Sequence, residues 1–233
     1  MNADANAQKN PGTAEKAAEL RFTVSASPHI RCDESIEKIM WNVNAALAPA
    51  AVFAVFYFGL PALVNMAAAV IAAVACEYLV QRYRGVAVRA FDGSAFLTGL
   101  LMAMSLPPTL PPYMTALGSF VAIVIAKQSM GGLGFNIFNP AHIGRAALMV
   151  SWPVAMTTWT KMSGAVDTVS GATPLNILKQ QGYDHLVAAF GGTAELYKAM
   201  LLGTRNGSMG ETSTILLILG GLYLLYKGYI NWH

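Results

Sequence analysis

Long runs of apolar residues separated by short polar segments dominate the pattern of this chain. Residues 41–60 (WNVNAALAPAAVFAVFYFGL) and 62–80 (ALVNMAAAVIAAVACEYLV) are the two longest of the early runs. A helix needs about 20 mostly apolar residues to cross a bilayer. The pattern therefore predicts two membrane-spanning helices, with Trp41 as an interfacial anchor of the first and Pro61 marking the turn between them.

Further apolar stretches follow at 93–106, 113–126, 141–157 and 212–230. The proline-rich segment 106–112 must end the third stretch, because proline lacks an N–H donor and fixes φ. Glycines at 131, 132 and 134 predict an irregular backbone, which survives at membrane depth only inside protein or beside a cavity. We interpret the segment 128–141, which leads into the stretch 141–157, either as a re-entrant or cofactor-facing element or as a flexible interhelical loop. The fold class is all-α, a polytopic helical membrane protein with about six transmembrane or re-entrant helices.

The polar segments define the rest of the organisation. Residues 1–20 carry both charge signs and little apolar character, which predicts a disordered cytoplasmic tail, and 21–40 is interpreted as a short surface segment. The remainder, 21–233, is predicted to be one membrane domain with an outer loop at 158–211. Within that loop, 185–202 mixes apolar and charged positions as an amphipathic helix on a membrane surface does.

Composition supports a membrane protein and excludes several other classes. The chain has 233 residues, of which 55% are hydrophobic and 12% are charged, whereas soluble domains average about 25% charged residues. A soluble enzyme, a disordered chain and a nucleic-acid binder are therefore disfavoured. Cys32 and Cys76 are too far apart to suggest a disulfide framework or a metal site, and the four histidines are dispersed.

Basic residues are distributed unevenly between the two sides of the predicted membrane. One side receives eleven of the fifteen, namely Lys9, Lys16, Arg21, Arg31, Lys38, Arg82, Arg84, Arg89, Lys127, Arg145 and Lys227. The other side receives Lys161, Lys179, Lys198 and Arg205. Because cytoplasmic loops carry the excess of Lys and Arg, we predict a cytoplasmic N-terminus and an outward-facing 158–211 loop.

A segment of small residues in the outer loop, DTVSGATPL at 167–175, carries a threonine directly before a proline. Pro174 favours an extended backbone at Thr173, which presents the hydroxyl. Gly171 and Ala172 leave room for a bulky group beside it. The alternative is an ordinary turn before a helix that has Pro174 at its first position.

A second segment, GSMGETS at 207–213, lies directly before the last apolar stretch. Its glycines and the hydroxyls of Ser208, Thr212 and Ser213 suit a polar nest at a helix N-terminus, where a phosphate or a flavin ring edge can bind. The alternative is a simple helix cap in which Glu211 complements the helix dipole.

Together these two motifs resemble the D subunit of the Rnf ion-translocating electron transport complex (RnfD), a family related to the B subunit of the sodium-pumping NADH:quinone reductase. Further matching motifs are SPHIR at 27–31 with the downstream IMWNVNAALAPA, DGSAFLTGLLMAMSLPP at 92–108, and GFNIFNPAHIGRAAL at 134–148. The resemblance extends from about residue 22 to residue 230.

The resemblance implies that Thr173 carries FMN through a phosphoester bond to its side-chain oxygen. It also places Asp167 and Ser170 in the stretch that an extracytoplasmic flavin transferase recognises. The residues expected to surround the flavin are Ser170, Gly171, Ala172, Ser208, Gly210, Glu211 and Thr212. Electrons would enter from a partner flavoprotein, and the flavin would do the redox chemistry. Riboflavin is a further candidate cofactor.

The same resemblance implies a multi-pass protein of a bacterial or archaeal cytoplasmic (inner) membrane. Its expected partners are the other Rnf proteins, including the outer-side flavoprotein RnfG and the membrane proteins RnfA and RnfE, together with the lipid bilayer and the flavin transferase. The complex would couple electron flow between ferredoxin and NAD⁺ to movement of Na⁺ or H⁺, so the chain is part of a translocase rather than an enzyme alone.

Three charged residues, Glu77, Asp92 and Lys127, lie at membrane depth or at its edge in this interpretation. Charges inside a membrane are by default candidates for an ion path. The alternative is that they are ordinary interfacial charges, because their predicted positions are near the ends of spans.

Members of this family usually extend through several more spans, so the chain is expected to be roughly the first two-thirds of one. Two other functions fit the composition and the spans equally well. One is a transporter or channel component without a redox cofactor, and the other is an assembly subunit. The two outer-loop motifs are what favour a flavin carrier.

Overall fold

Helices form nearly all of the regular structure in the computed structural model, which describes residues 34–161, 169–170, 173–203, 206–211 and 213–232. The helices of the first part are α1 (Ile36–Phe58), α2 (Leu60–Tyr83), α3 (Ser94–Met104), α4 (Pro112–Phe120), a π-helix (Val121–Gln128), α5 (Pro140–Ser151) and α6 (Pro153–Thr157). After them come β1 (Thr160–Lys161), β2 (Val169–Ser170), α7 (Pro174–Gln181), α8 (Tyr183–Phe190), α9 (Thr193–Leu202), a 3₁₀ turn (Met209–Glu211) and α10 (Thr214–Tyr226). The predicted all-α class is confirmed.

The first two helices are long and apolar enough to cross a membrane, with 23 and 24 residues. At 1.5 Å per residue each is about 35 Å long, more than the roughly 30 Å of a hydrocarbon core. Only 28% of the most apolar window of each helix is buried within the chain. Their outer apolar faces, which include Val52, Phe56 and Ile71, therefore remain available to lipid or to other helices.

Helix α1 begins five residues earlier than the apolar run predicts. Ser35 is its N-cap, and the Ser35 hydroxyl accepts a hydrogen bond from the Lys38 N–H at 3.1 Å. The end of the predicted surface segment 21–40 is therefore helical. The cause is the capping serine, which a search for apolar residues alone overlooks. The predicted tail at 1–20 lies outside the described residues.

The other four predicted spans are helical but shorter. Helices α3, α5 and α10 have 11, 12 and 13 residues, which is about 16–20 Å of helix. Helix α4 runs directly into the π-helix. The segment 106–112 separates α3 from α4 as predicted, and α5 ends at Ser151, inside the predicted 141–157 stretch.

Small residues bring the central helices close together. A Cβ on Gly99 of α3 would lie 2.8 Å from the Val70 Cα and 2.9 Å from the Ala69 carbonyl oxygen of α2. A Cβ on Gly144 of α5 would lie 2.5 Å from the Gly118 oxygen of α4. Backbones that approach this closely are the usual result of small residues at membrane-helix interfaces, and the alanine-rich sequence of α2 fits that role.

The proline-rich segment is held against α2 by one amide side chain. The Asn65 Nδ2 donates to the carbonyl oxygens of Pro108 and Leu110, both at 2.8 Å, and the Asn65 Oδ1 accepts from the Thr115 hydroxyl at 2.8 Å. Asn65 and Thr115 are both buried. Proline has no N–H to donate, so the carbonyl oxygens of this segment lack backbone donors. The Asn65 amide supplies the hydrogen bonds that buried carbonyls need.

The predicted amphipathic helix 185–202 is wrong as a single element. The structure has two helices, α8 and α9, which Gly191 and Gly192 separate with φ values of 79° and 138°. A positive φ cannot continue a right-handed helix, so the chain turns at this pair. Elsewhere in the outer loop, β1 and β2 pair antiparallel, with Thr160 opposite Ser170.

Candidate functional site

Thr173 is the N-cap of α7. Its backbone is extended (φ −70°, ψ 155°) and Pro174 occupies the first turn, so the predicted backbone and the predicted helix start are both confirmed. The Thr173 Oγ1 accepts a hydrogen bond from the Asn176 N–H at 3.2 Å. Among the described residues the Thr173 hydroxyl donates to no acceptor. The alternative interpretation, a turn before a helix with Pro174 in its first turn, therefore also holds, and the cap leaves the Thr173 hydroxyl hydrogen unused among the described residues.

A cavity of about 460 Å³ opens beside Thr173. Its lining includes Arg145 from α5, Trp159 from the segment after α6, and Asn206 and Glu211 from the segment before α10. The volume lies within the range of roughly 300–1,000 Å³ that is typical of ligand pockets. The cavity thus joins the two outer-loop motifs, since Thr173 belongs to the first and Glu211 to the second.

The other described residues of the second motif do not line this cavity. Ser208 is buried, and a Cβ on Gly210 would lie 2.9 Å from the Met104 carbonyl oxygen. The Met209 N–H donates to the Leu106 oxygen at 3.2 Å. These contacts pack the 3₁₀ turn against the end of α3. Ser213 is the N-cap of α10, and its Oγ accepts a hydrogen bond from the Leu216 N–H at 3.4 Å.

The remaining predicted flavin residues are only partly described. Ser170 lies in β2, whereas Gly171, Ala172 and Thr212 lie outside the described residues. Sequence reasoning did not select Trp159 or Asn206, because neither belongs to a recognisable motif and only the fold brings them to Thr173. The sequence distinguishes Arg145 only as one of the basic residues assigned to the inner side, and the fold brings it to the Thr173 cavity.

The charged residues Glu77 and Lys127 form a buried ion pair between α2 and the π-helix. The Lys127 Nζ lies 2.6 Å from the Glu77 Oε2, and the two side chains are 1% and 2% exposed. Lys127 also donates to the Ser94 Oγ at 2.7 Å, and the Glu77 Oε1 accepts from Gln81 and Gln128 at 3.1 and 3.0 Å. Both charges are inside the protein, so this pair does not have the exposed position of ordinary interfacial charges.

Two consecutive residues of the π-helix, Lys127 and Gln128, contact the two oxygens of the same carboxylate. In an α-helix consecutive side chains point about 100° apart, and a π-helix turns less per residue because its hydrogen bonds span five residues. This widened helix was not predicted. Nothing in VAIVIAKQ distinguishes it from an ordinary α-helix.

A second cavity, of about 620 Å³, adjoins this pair at the end of α2. Glu77, Gln81 and Gln128 line it, as do Asp92 and Arg89. Asp92 contacts the pair indirectly, because its Oδ1 accepts from the backbone N–H of Ser94 at 2.8 Å. The three predicted ion-path residues therefore belong to one connected cluster. The described residues contain no group of His, Cys, Asp and Glu that could hold a metal ion.

Comparison with known proteins identifies relatives of the chain. It is 68% identical over 212 residues to the D subunit of the proton-translocating ferredoxin:NAD(+) oxidoreductase complex of Clostridium ljungdahlii, covering 91% of this chain and 64% of that protein. It is 44% identical over 214 residues to the D subunit of the Na(+)-translocating ferredoxin:NAD(+) oxidoreductase complex of Acetobacterium woodii, covering 92% and 65%. The chain thus spans about two-thirds of the length of these curated relatives.

More distant relatives include the D subunit of the ion-translocating oxidoreductase complex of Cronobacter sakazakii. That protein is 32% identical over an alignment of 246 positions, gaps included, which covers 91% of this chain and 69% of the relative. The model of the NQR2, RnfD, RnfE family matches residues 23–233, which is nearly the whole chain and includes both outer-loop motifs and the buried ion pair. The chain belongs to the NQR2, RnfD, RnfE family.

Proposed function

We propose that the chain is a membrane subunit of an ion-translocating ferredoxin:NAD oxidoreductase complex, and that it carries electrons on FMN joined to Thr173 through a phosphoester bond. The observation that carries the flavin proposal is the position of Thr173. Its hydroxyl donates to no described residue and faces a cavity of ligand size. The proposal for the complex rests on the relatives, whose names describe such complexes.

The residues of the cavity suit the group that they would hold. Thr173 supplies the oxygen for attachment, and Trp159 offers an aromatic surface in the same cavity. A flavin supplies reversible electron transfer when bound, while the protein positions and tunes it. The walls also include Leu178, Leu186 and Met200, which would shield an apolar ring from water.

Ion transport belongs to the same proposal. Glu77, Lys127 and Asp92 would form part of an ion path, because a buried ion pair beside a cavity is a group that can change partners when a cation or proton arrives. The transported ion would be Na⁺ or H⁺. The partners would be the outer-side flavoprotein RnfG, the membrane proteins RnfA and RnfE, and the flavin transferase, with the flavin loop outside a cytoplasmic (inner) membrane.

A transport component without a redox cofactor is the second candidate function. The buried Glu77–Lys127 pair and its cavity favour a transport component without flavin as strongly as they favour a flavin-bearing subunit, because neither feature involves flavin. Flavin content separates the two candidates. The chain should be expressed in a host that supplies the other subunits and the flavin transferase, then separated on a denaturing gel.

The flavin carrier predicts a fluorescent band at the mass of the chain that disappears in Thr173→Ala. Thr193→Ala is the matched control, because Thr193 is an exposed threonine of the same outer segment that does not line the cavity. A chain without fluorescence would favour the transport component. A fluorescent band that persists in Thr173→Ala would refute the attachment site.

A further inference from the structure

We propose that Arg145 binds the phosphate group through which the flavin is held at Thr173. The inference rests on the function proposed above and adds a residue from a separate element. Arg145 lies in the middle of α5, whereas Thr173 caps α7, and both line the same cavity of about 460 Å³.

Arg145 has no charged partner among the residues that the structure describes. The ion pairs among the described residues do not include Arg145, and its guanidinium makes no hydrogen bond within that part of the chain. Glu211 lines the same cavity but is not within salt-bridge distance of Arg145. A half-buried guanidinium therefore faces the cavity with its five N–H donors unused.

The guanidinium of Arg145 has the chemistry that selects a phosphate. Guanidinium binds phosphate through two parallel N–H···O bonds, a geometry that lysine cannot reproduce. A phosphate that links a threonine to a flavin carries one negative charge, which one arginine balances. Arg145 is also the only cationic residue among those described that line the cavity.

The proposed attachment oxygen lies where the backbone also favours an anion. The Thr173 Oγ1 already lies at the start of an eight-residue helix and accepts from the Asn176 N–H. Backbone N–H groups at a helix N-terminus favour an anion. A phosphate on this oxygen would therefore meet the start of α7 on one side and the cavity that contains Arg145 on the other.

Chemical protection of Arg145 tests the inference directly. The wild-type complex and a complex with Thr173→Asn are treated with phenylglyoxal, and labelled arginines are quantified by mass spectrometry. Asparagine is chosen because it keeps the N-cap and removes the hydroxyl. We expect labelling of Arg145 to be about tenfold or more lower in the flavin-bearing chain, since a charge-assisted pair holds the guanidinium.

Arg84 is the internal control, because its guanidinium donates to the Gln128 carbonyl oxygen at 2.7 Å, outside the Thr173 cavity. Its labelling should be the same in both complexes. Equal labelling of Arg145 in the two complexes, whether high or low, would overturn the inference. Flavin fluorescence of the wild type is measured first. A chain without flavin would refute the proposed function, whereas a flavin-bearing chain with unprotected Arg145 would overturn only the inference about Arg145.

Variants give a second readout. In Arg145→Met we expect the initial rate of flavin incorporation, normalised to the amount of chain in the membrane, to fall about tenfold. Arg145→Lys should recover part of that rate, because it keeps the charge without the bidentate geometry. Lys179→Met removes an exposed cation of α7 that does not line the cavity and should not change the rate. Incorporation at the wild-type rate in Arg145→Met would contradict the inference.

Discussion

Thr173 is both the N-cap of α7 and the proposed attachment point of the flavin, and these roles make different demands on its side chain. Thr173→Ala removes both the cap and the hydroxyl, whereas Thr173→Asn keeps a good capping side chain. We expect both variants to lose covalent flavin. Only the alanine variant should also lose stability, by about 1 kcal/mol. In-gel fluorescence and thermal unfolding in detergent measure the two effects, and retention of flavin by Thr173→Asn would refute the assignment.

The Glu77–Lys127 pair predicts strong coupling between two substitutions. Removing either partner leaves a buried charge unpaired, so Glu77→Gln or Lys127→Met should each destabilise the chain by about 3–5 kcal/mol. The double variant should cost clearly less than the sum of the two. Thermal unfolding of the wild type, the two single variants and the double variant gives the coupling energy. Additive effects would show that Glu77 and Lys127 do not form an ion pair in the membrane.

The exposed pair Glu195–Lys198 is the matched control for that experiment. Its charged atoms are 3.9 Å apart and both side chains are more than 60% exposed. Solvent screens such a pair, so breaking it should change stability by less than about 1 kcal/mol.

Close packing of helices α2 and α3 depends on Gly99, which allows the two backbones to approach each other. Gly99→Ala would push a methyl group against the α2 backbone at 2.8 Å, and we expect a loss of about 1–3 kcal/mol from this overpacking. Gly221→Ala in α10 is the control, because nothing lies within 4 Å of the added Cβ. It should be neutral or slightly stabilising. Equal thermal shifts for the two variants would argue against the helix contact.

Most of the elements follow from local sequence. The apolar runs predict α1 and α2, proline at 174 predicts the start of α7, and the proline-rich segment separates α3 from α4. Gly191 and Gly192 are visible in the sequence, yet helical periodicity across them predicted one helix instead of two. The π-helix has no local signal in the sequence, and two of its residues contact the Glu77 carboxylate of another helix.

The whole molecule has a predicted orientation, which the structure refines. Two of the eleven basic residues assigned to the inner side change this count. Lys127 is paired with Glu77, and Arg145 lines the same cavity as Thr173 of the outer loop, so Arg145 counts with that loop and not with the inner side. Omitting Lys127 and moving Arg145 leaves nine basic residues inside and five outside, so the bias that places 158–211 outside persists.

Labelling of single cysteines checks that orientation. In a chain with Cys32 and Cys76 replaced by alanine, Lys179→Cys should react with a membrane-impermeant maleimide in intact spheroplasts. Tyr83→Cys should react only after lysis, because Tyr83 is a 93% exposed residue at the opposite end of α2 from the α1–α2 turn. Protection of position 179 in intact spheroplasts would reverse the orientation.

The candidate sites could be predicted only in part. Local motifs singled out Thr173 and Glu211, and membrane depth singled out Glu77 and Lys127. Their contacts could not be derived from spacing, because the ion pair joins positions 50 residues apart and the cavity gathers residues from several elements. No sequence motif marks Trp159, and only the fold brings it to the cavity.

We propose that Thr173 bears the flavin, and peptide mass spectrometry of the purified chain locates the attachment. Trypsin should release residues 162–179, MSGAVDTVSGATPLNILK, from the chain purified with its complex. We predict that this peptide is heavier by the mass of one FMN less one water, the change expected when the Thr173 hydroxyl forms a phosphoester. Fragmentation should place the added mass on Thr173. An unmodified peptide in a flavin-competent host, or added mass on Ser163, Thr168 or Ser170, would contradict the account.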